Sequence, residues 1–135
     1  MVVVINPKAR ASNRHKALLV VGRNFGLRPA VEAACEIWES ECSGLPVGSS
    51  ELQFRPGRVT AGKYQFAVST TGSTSLVLQT VLMPLFLAGG PSRLVLEGGT
   101  HNMLAPPFDF IERTFLPIIN RMRPSVTARI VRRSF

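Results

Sequence analysis

A chain of 135 residues, 45% of them hydrophobic, is long enough for one compact domain and apolar enough to give it a core. Neither wholesale disorder nor a two-domain layout is expected. Sixteen Lys and Arg against eight Asp and Glu set the net charge at +8, a surplus that points to polyanionic partners, nucleic acid ahead of anionic membrane, beside the plainer alternative of a domain that is simply basic. Two cysteines exclude a disulfide framework and fall short of the four ligands of a structural zinc site.

The charge is unevenly placed. Residues 1–28 hold Lys8, Arg10, Arg14, Lys16, Arg23 and Arg28 without an acid, and the stretch after Glu112 holds Arg113, Arg121, Arg123, Arg129, Arg132 and Arg133, again without one. Glu32, Glu36, Glu39 and Glu41 crowd a short central stretch. The two ends are therefore the expected electrostatic footprint. Cys35 is expected as a small core residue in a reducing, intracellular setting. The apolar run at 2–5 is too short for a signal peptide, and the longest apolar stretch, 76–88, contains Gln79 and Pro84 and falls short of a membrane span. A soluble, cytoplasmic protein without a membrane partner is the expectation.

In chain order, Val2-Val3-Val4-Ile5 reads as a buried strand ended by Asn6-Pro7. Residues 8–16 are basic, polar and without a period, and residues 17–21 form a second short apolar run, read as a strand. A helix is predicted over 29–41, with Pro29 in its first turn, a buried stripe of Val31, Ala34, Cys35 and Trp38, glutamates toward solvent, and Gly44 and Pro46 as its stop. Residues 51–55 and 63–68 both alternate, with Leu52 and Phe54 on one face and Tyr64, Phe66 and Val68 on one face. The Pro56-Gly57 and Gly62 signals between them predict an antiparallel pair joined by a loop. Capping residues at 70–74 open a helix to about Ala88 that is apolar nearly all round, so burial at the centre of the fold and a bend at Pro84 are expected. A strand with Leu94 and Leu96 inward follows at 93–97. A third helix is predicted at 107–122, with Phe108, Ile111, Phe115 and Ile118 or Ile119 at helical spacing, and a last strand at 125–131. The order predicts an α/β fold, helices packed on a mixed β-sheet.

Three runs carry more than element type. They are Ser49-Ser50-Glu51-Leu52-Gln53-Phe54-Arg55-Pro56-Gly57, then Thr71-Gly72-Ser73-Thr74-Ser75-Leu76-Val77-Leu78-Gln79-Thr80, and then Gly90-Pro91-Ser92-Arg93 with Glu97-Gly98-Gly99-Thr100-His101-Asn102 and Ala105-Pro106-Pro107-Phe108-Asp109-Phe110. In order and spacing, residues 48–122 resemble the RNA 3′-terminal phosphate cyclase family. The resemblance implies units of two helices on a four-stranded sheet, one such unit plus part of a second being expected here. It also implies ATP-dependent conversion of an RNA 3′-phosphate into a 2′,3′-cyclic phosphodiester. A histidine takes AMP from ATP, AMP passes to the RNA 3′-phosphate, and the neighbouring 2′-hydroxyl expels it. ATP and a divalent metal (Mg or Mn) are the implied cofactors, and RNA with a 3′-phosphate end is the implied partner.

Residue by residue, Gln79 matches the family glutamine at the nucleotide site, the alternative being a core amide bonded to a backbone group. Pro106 matches the family proline against the adenine face, although Ala-Pro-Pro is also an ordinary helix start. Arg28, in Gly26-Leu27-Arg28-Pro29, is similar to the family's Gly-Leu-Arg segment at the phosphate cleft, where a planar guanidinium fork suits phosphate; a solvated arginine is the other reading. Lys63, Arg55 and Arg58 read equally as plain surface charges. His101 does not occupy the place of the family's catalytic histidine, and His15 lies in the divergent segment, so no catalytic residue and no metal ligand is assigned. Residues 1–25 are divergent. The family's Gly-rich opening with its acidic residue has no counterpart before Gly22, and the family's residues between Gly-Leu-Arg and the helix core, including a Gln-His pair, are missing after Arg28. The family also continues past residue 135 to its nucleophilic histidine. The expectation is a single incomplete cyclase domain over 1–135, inactive as an isolated chain. It is expected to self-associate or to pair with a complementing cyclase fragment, the alternative being a non-catalytic RNA-binding or ribosome-assembly protein or a gene remnant.

Overall fold

The computed structural model describes residues 1–6, 18–21, 28–43, 51–68, 72–103, 105–122 and 124–133. Its elements are β1 (Val2–Asn6), β2 (Leu18–Val21), α1 (Arg28–Ile37), β3 (Glu41–Ser43), β4 (Glu51–Arg55), β5 (Lys63–Ala67), α2 (Thr74–Leu87), β6 (Ser92–Glu97), α3 (Phe108–Phe110), a π-helical segment (Ile111–Phe115), α4 (Leu116–Arg121) and β7 (Ser125–Arg129). The fold is α/β. A four-stranded sheet has the order β5-β6-β1-β7, and a three-stranded sheet has the order β2-β4-β3. The basic segment at 8–16 and the residues at 69–71 lie outside the described residues.

Strand alternation builds the core. β1 runs antiparallel to both neighbours, with Val3 opposite Leu94 and Ala128 and Ile5 opposite Val126. β5 runs parallel to β6, with Tyr64 beside Leu94 and Phe66 beside Leu96. Because side chains at i and i+2 share a face, all of these lie on one side of the sheet, where Val3, Ile5, Leu94, Leu96 and Val126 are buried. The helices cover that side. β5, β6 and β7 point the same way, and α2 makes the crossover between β5 and β6, so one edge of the sheet gathers their C-terminal ends.

Several expectations are corrected. The strands at 51–55 and 63–67 are not a hairpin. β4 pairs with β2 and β3, while β5 pairs with β6 in the other sheet. The linker between them is anchored rather than reversed: Val59 is buried, Thr60 N–H donates to the Ile37 carbonyl at 3.3 Å, and a Cβ on Gly57 would stand 2.6 Å from the Trp38 carbonyl. Only glycine allows that approach.

α1 stops at Ile37, short of the predicted Glu41, which begins β3 instead. Ser40 N–H donates to the Cys35 carbonyl at 3.0 Å and Glu39 N–H to the Glu36 carbonyl at 3.1 Å, with Glu39 at φ +45°; this is a Schellman end with glutamate where glycine is usual. The buried stripe of α1 is Ala30, Ala33, Ala34 and Ile37, not the predicted stripe. Of that stripe only Ala34 is buried, with Val31, Cys35 and Trp38 half-buried at its flank and Trp38 edge-on to Phe54. The three alanines let α1 lie close against α2. Cys35 is not a free core thiol but is bonded to Cys42, with Cα atoms 6.4 Å apart.

α2 begins and ends as predicted and carries more buried side chains than any other described helix, but it is not covered all round. Val77, Leu78, Val81, Leu82 and Leu85 are buried, whereas Met83 and Leu87 are 58% and 39% exposed. The third predicted helix is one helical run with a π-helical segment in its middle. Pro117 lacks the N–H that a regular turn would aim at Arg113, and the turn before it widens so that Leu116 N–H reaches the Ile111 carbonyl.

Candidate nucleotide and RNA site

The site begins where β6 ends. Gly98 has φ +142°, and a Cβ there would lie 2.9 Å from the Val68 carbonyl, so the turn at 98–102 presses its backbone against Val68, just past the end of β5, in a conformation that favours glycine. The first turn of α2 then locks the turn in place. Thr74 donates twice to the Gly99 carbonyl, from its N–H at 2.9 Å and from its hydroxyl at 2.8 Å, and Ser73 bridges to Gly99. Ser73 stands at the N-cap position, but its hydroxyl pairs with that of Ser75 at 2.7 Å rather than capping the helix.

His101 is held at both ring nitrogens. Nδ1 pairs with the buried Thr100 hydroxyl at 2.9 Å, and Nε2 meets Asp109 Oδ2 at 3.4 Å across the proline turn. The Asp109 carboxyl is held below the usual carboxylate range, first by the hydrogen bond to His101 and then by the charges of Arg133 and Arg113. Asn102 packs against Gly99, where no side chain would fit, and its Oδ1 is buried without a hydrogen-bond partner among the described residues. Alongside, at the same edge of the sheet, a groove of about 590 Å³ is bordered by Glu97, Gly98, Val131, Arg132 and Arg133.

The carried-over residues stand apart from this knot of bonds. Gln79 is exposed on the outer face of α2, so its amide is not a core amide bonded to backbone; among the described residues it has no hydrogen-bond partner. Pro106 is half-buried in the turn that leads to α3. Arg28 is the first residue of α1, and its side chain lies outside the described residues, as do His15 and Gly26-Leu27. Sequence reasoning named Asp109 only within a motif. Its partnership with His101 spans eight residues and a turn, which no periodic pattern reports.

The family model for RNA 3′-terminal phosphate cyclase matches residues 24–135. The chain belongs to that family. Among similar proteins, the RNA 3′-terminal phosphate cyclases of Koribacter versatilis, Ectopseudomonas mendocina and Pseudomonas fluorescens are 54%, 47% and 44% identical over 106 residues, which is 78% of this chain. That segment is 30% of the length of the first relative and 31% of the other two. The chain thus spans about a third of the curated cyclases it matches. Among the described residues, no helix is long and apolar enough to cross a membrane.

Proposed function

We propose that this chain contributes one wall of the nucleotide site of an ATP-dependent RNA 3′-phosphate cyclase and does not by itself complete the reaction. The observation that carries the reading is the family match over residues 24–135, which takes in the segments that meet at 72–80, 97–102 and 105–110. On this reading the free carboxamide of Gln79 bonds the nucleotide, the accessible ring of Pro106 lies against adenine, and Arg28 serves a phosphate. ATP supplies the activating adenylyl group when bound. A divalent metal (Mg or Mn) would accompany the ATP phosphates and screen their charge; among the described residues no group of three His, Cys, Asp or Glu is arranged to hold one, and no step is assigned to it. RNA with a 3′-phosphate end is the proposed substrate, met in the cytoplasm.

His101 is not the nucleophile in this proposal. Both of its ring nitrogens are already engaged, and a nucleophilic imidazole needs a free lone pair aimed at phosphorus. Incubation with α-labelled ATP and a divalent metal, followed by a denaturing gel, is expected to show no protein-bound label. An acid-labile label that disappears in His101→Ala overturns the assignment.

The outer surface of the helices supports a complementing partner. Met83 and Leu87 of α2, with Ile118 of α4 and Met122 just after it, are 39–69% exposed, a load of large apolar side chains that water does not favour. More than two thirds of each relative's length has no counterpart here, and we assign this surface to that remainder of a cyclase chain. Co-expression with the Koribacter cyclase shortened by its matched segment should give a complex that serine replacement of the four residues abolishes. Self-association alone would assign the surface to a second copy instead.

A further inference from the structure

The side of the four-stranded sheet away from the helices has its own chemistry. Alternation puts Lys63 and Gln65 of β5, Arg93, Val95 and Glu97 of β6, Val2 and Val4 of β1, and Thr127 and Arg129 of β7 on that side. The register sets them in rows. Lys63 stands beside Arg93, Arg93 opposite Val4, and Val4 opposite Thr127; in the next row come Gln65, Val95, Val2 and Arg129. Lys63, Arg93 and Arg129 are all exposed, and none has an ion pair among the described residues. Glu97, the acid on this side, already accepts a hydrogen bond from Gln65 Nε2 at 2.7 Å.

Two cations on strands about 4.8 Å apart repel one another, a cost that an anion lying between them removes. Arg129 continues the line diagonally across the sheet. Beyond the end of β7 come Arg132 and Arg133, which border the groove beside Gly98. Since β5, β6 and β7 share a direction, the line runs from the far edge of the sheet toward the edge that holds the 98–102 turn. The floor beneath it is half-buried valine, and the sheet's aromatic residues, Tyr64 and Phe66, stack on the opposite side with centroids 6.0 Å apart. Such a surface offers charge to a backbone and no ring to a base.

We propose that this open face is a track for the sugar–phosphate backbone of single-stranded RNA, with phosphates over Lys63 and Arg93 and over Arg129 and Arg132, leading the 3′ end to the groove. It rests on the reading that the substrate is RNA. A line of spaced, unpaired cations matches a chain of phosphates better than it matches the mixed apolar and polar surface of a protein. Recognition is tolerant of sequence, because phosphate contacts position a strand without reading it.

Fluorescence anisotropy with a labelled RNA of roughly twelve nucleotides, titrated over a range of salt, tests the track. The comparison is K63E/R93E/R129E against R55E/R58E/R121E, which makes the same change in net charge at exposed arginines elsewhere, with far-ultraviolet circular dichroism confirming that both fold. The track variant should lose at least ~10-fold in affinity, and its slope of log K against log salt should fall by about 2, as three lost phosphate contacts require. The control should keep the wild-type slope. Equal losses in the two variants overturn the track while leaving RNA binding intact. No RNA binding by the wild-type chain overturns the RNA reading itself. Tighter binding to phosphatidylserine–phosphatidylcholine vesicles than to RNA at the same salt also overturns the track.

Discussion

The two sides of the four-stranded sheet are built from the same strands and differ in every property that decides a partner. On the helical side Leu94, Leu96, Val3, Ile5 and Val126 are sealed beneath helices, and the outer surface of those helices is again apolar at Met83, Leu87, Ile118 and Met122. On the open side half-buried valines lie among Lys63, Arg93 and Arg129. One side asks for more protein, and the other for anions. A strand with a period of two can serve both, because each residue shift changes the side addressed.

The sharpest way to break this contrast is to truncate neighbours on one strand. Leu96 is 1% exposed on the helical side, and Val95 is half-buried on the open side. Leu96→Ala should cost about 2–5 kcal/mol, the transfer term plus the cavity it leaves. Val95→Ala should cost about 1 kcal/mol or less, since water fills the space. Urea unfolding of the two variants measures the difference, and equal costs would mean that the open side is covered too.

A smaller effect is expected from the disulfide, which ties α1 to β3 in the second sheet. It closes a short loop between residues 35 and 42, for which the chain-entropy argument gives about 2–3 kcal/mol. Reduction, or Cys35→Ser with Cys42→Ser, should lower the thermal midpoint while leaving RNA affinity on the open face unchanged. A parallel loss of RNA binding would show that the second sheet supports the track.

How much of this was legible in the sequence depends on whether a local pattern reports the contact. Alternation at 63–67 and 93–97 gave the right faces, because a half-buried strand writes its environment every second residue. The end of α1 was missed because Glu39 holds the left-handed position where glycine would have signalled a stop. The false hairpin had correct turn residues; Gly57 is there for contact with Trp38 and Glu39 rather than for reversal. α2 gave no period at all, so neither its exposed stripe nor the outward position of Gln79 could be read. At the site, the family motifs were legible as motifs, whereas the pairing of His101 with Asp109 and the two hydrogen bonds from Thr74 to the Gly99 carbonyl are long-range and left no trace in spacing.

The smallest expected effect is at the edge where the two sides meet. Asp109 holds His101 and is itself held ionised by His101, Arg133 and Arg113. Its folded carboxyl titrates below the ordinary value near 3.9, so its contribution to stability is fully present above that value and is lost as pH falls through the depressed one. Between pH 7 and 5 its own titration should therefore change nothing. Because the group is open to water, the change is too small to read beside Leu96→Ala in a thermal midpoint, but NMR can follow it locally. In a titration from pH 7 to 2, the His101 ring resonances and the Gly98 and Gly99 amides should register the Asp109 carboxyl in a late, acidic step. Asp109→Asn should remove that step and leave the backbone amides of the open-face residues Gln65 and Val95 as they were. If the Gln65 and Val95 amides move in the same step as Gly98 and Gly99, the two sides of the sheet are coupled through the groove at Arg132 and Arg133, and the 98–102 turn would then sense what the open face binds.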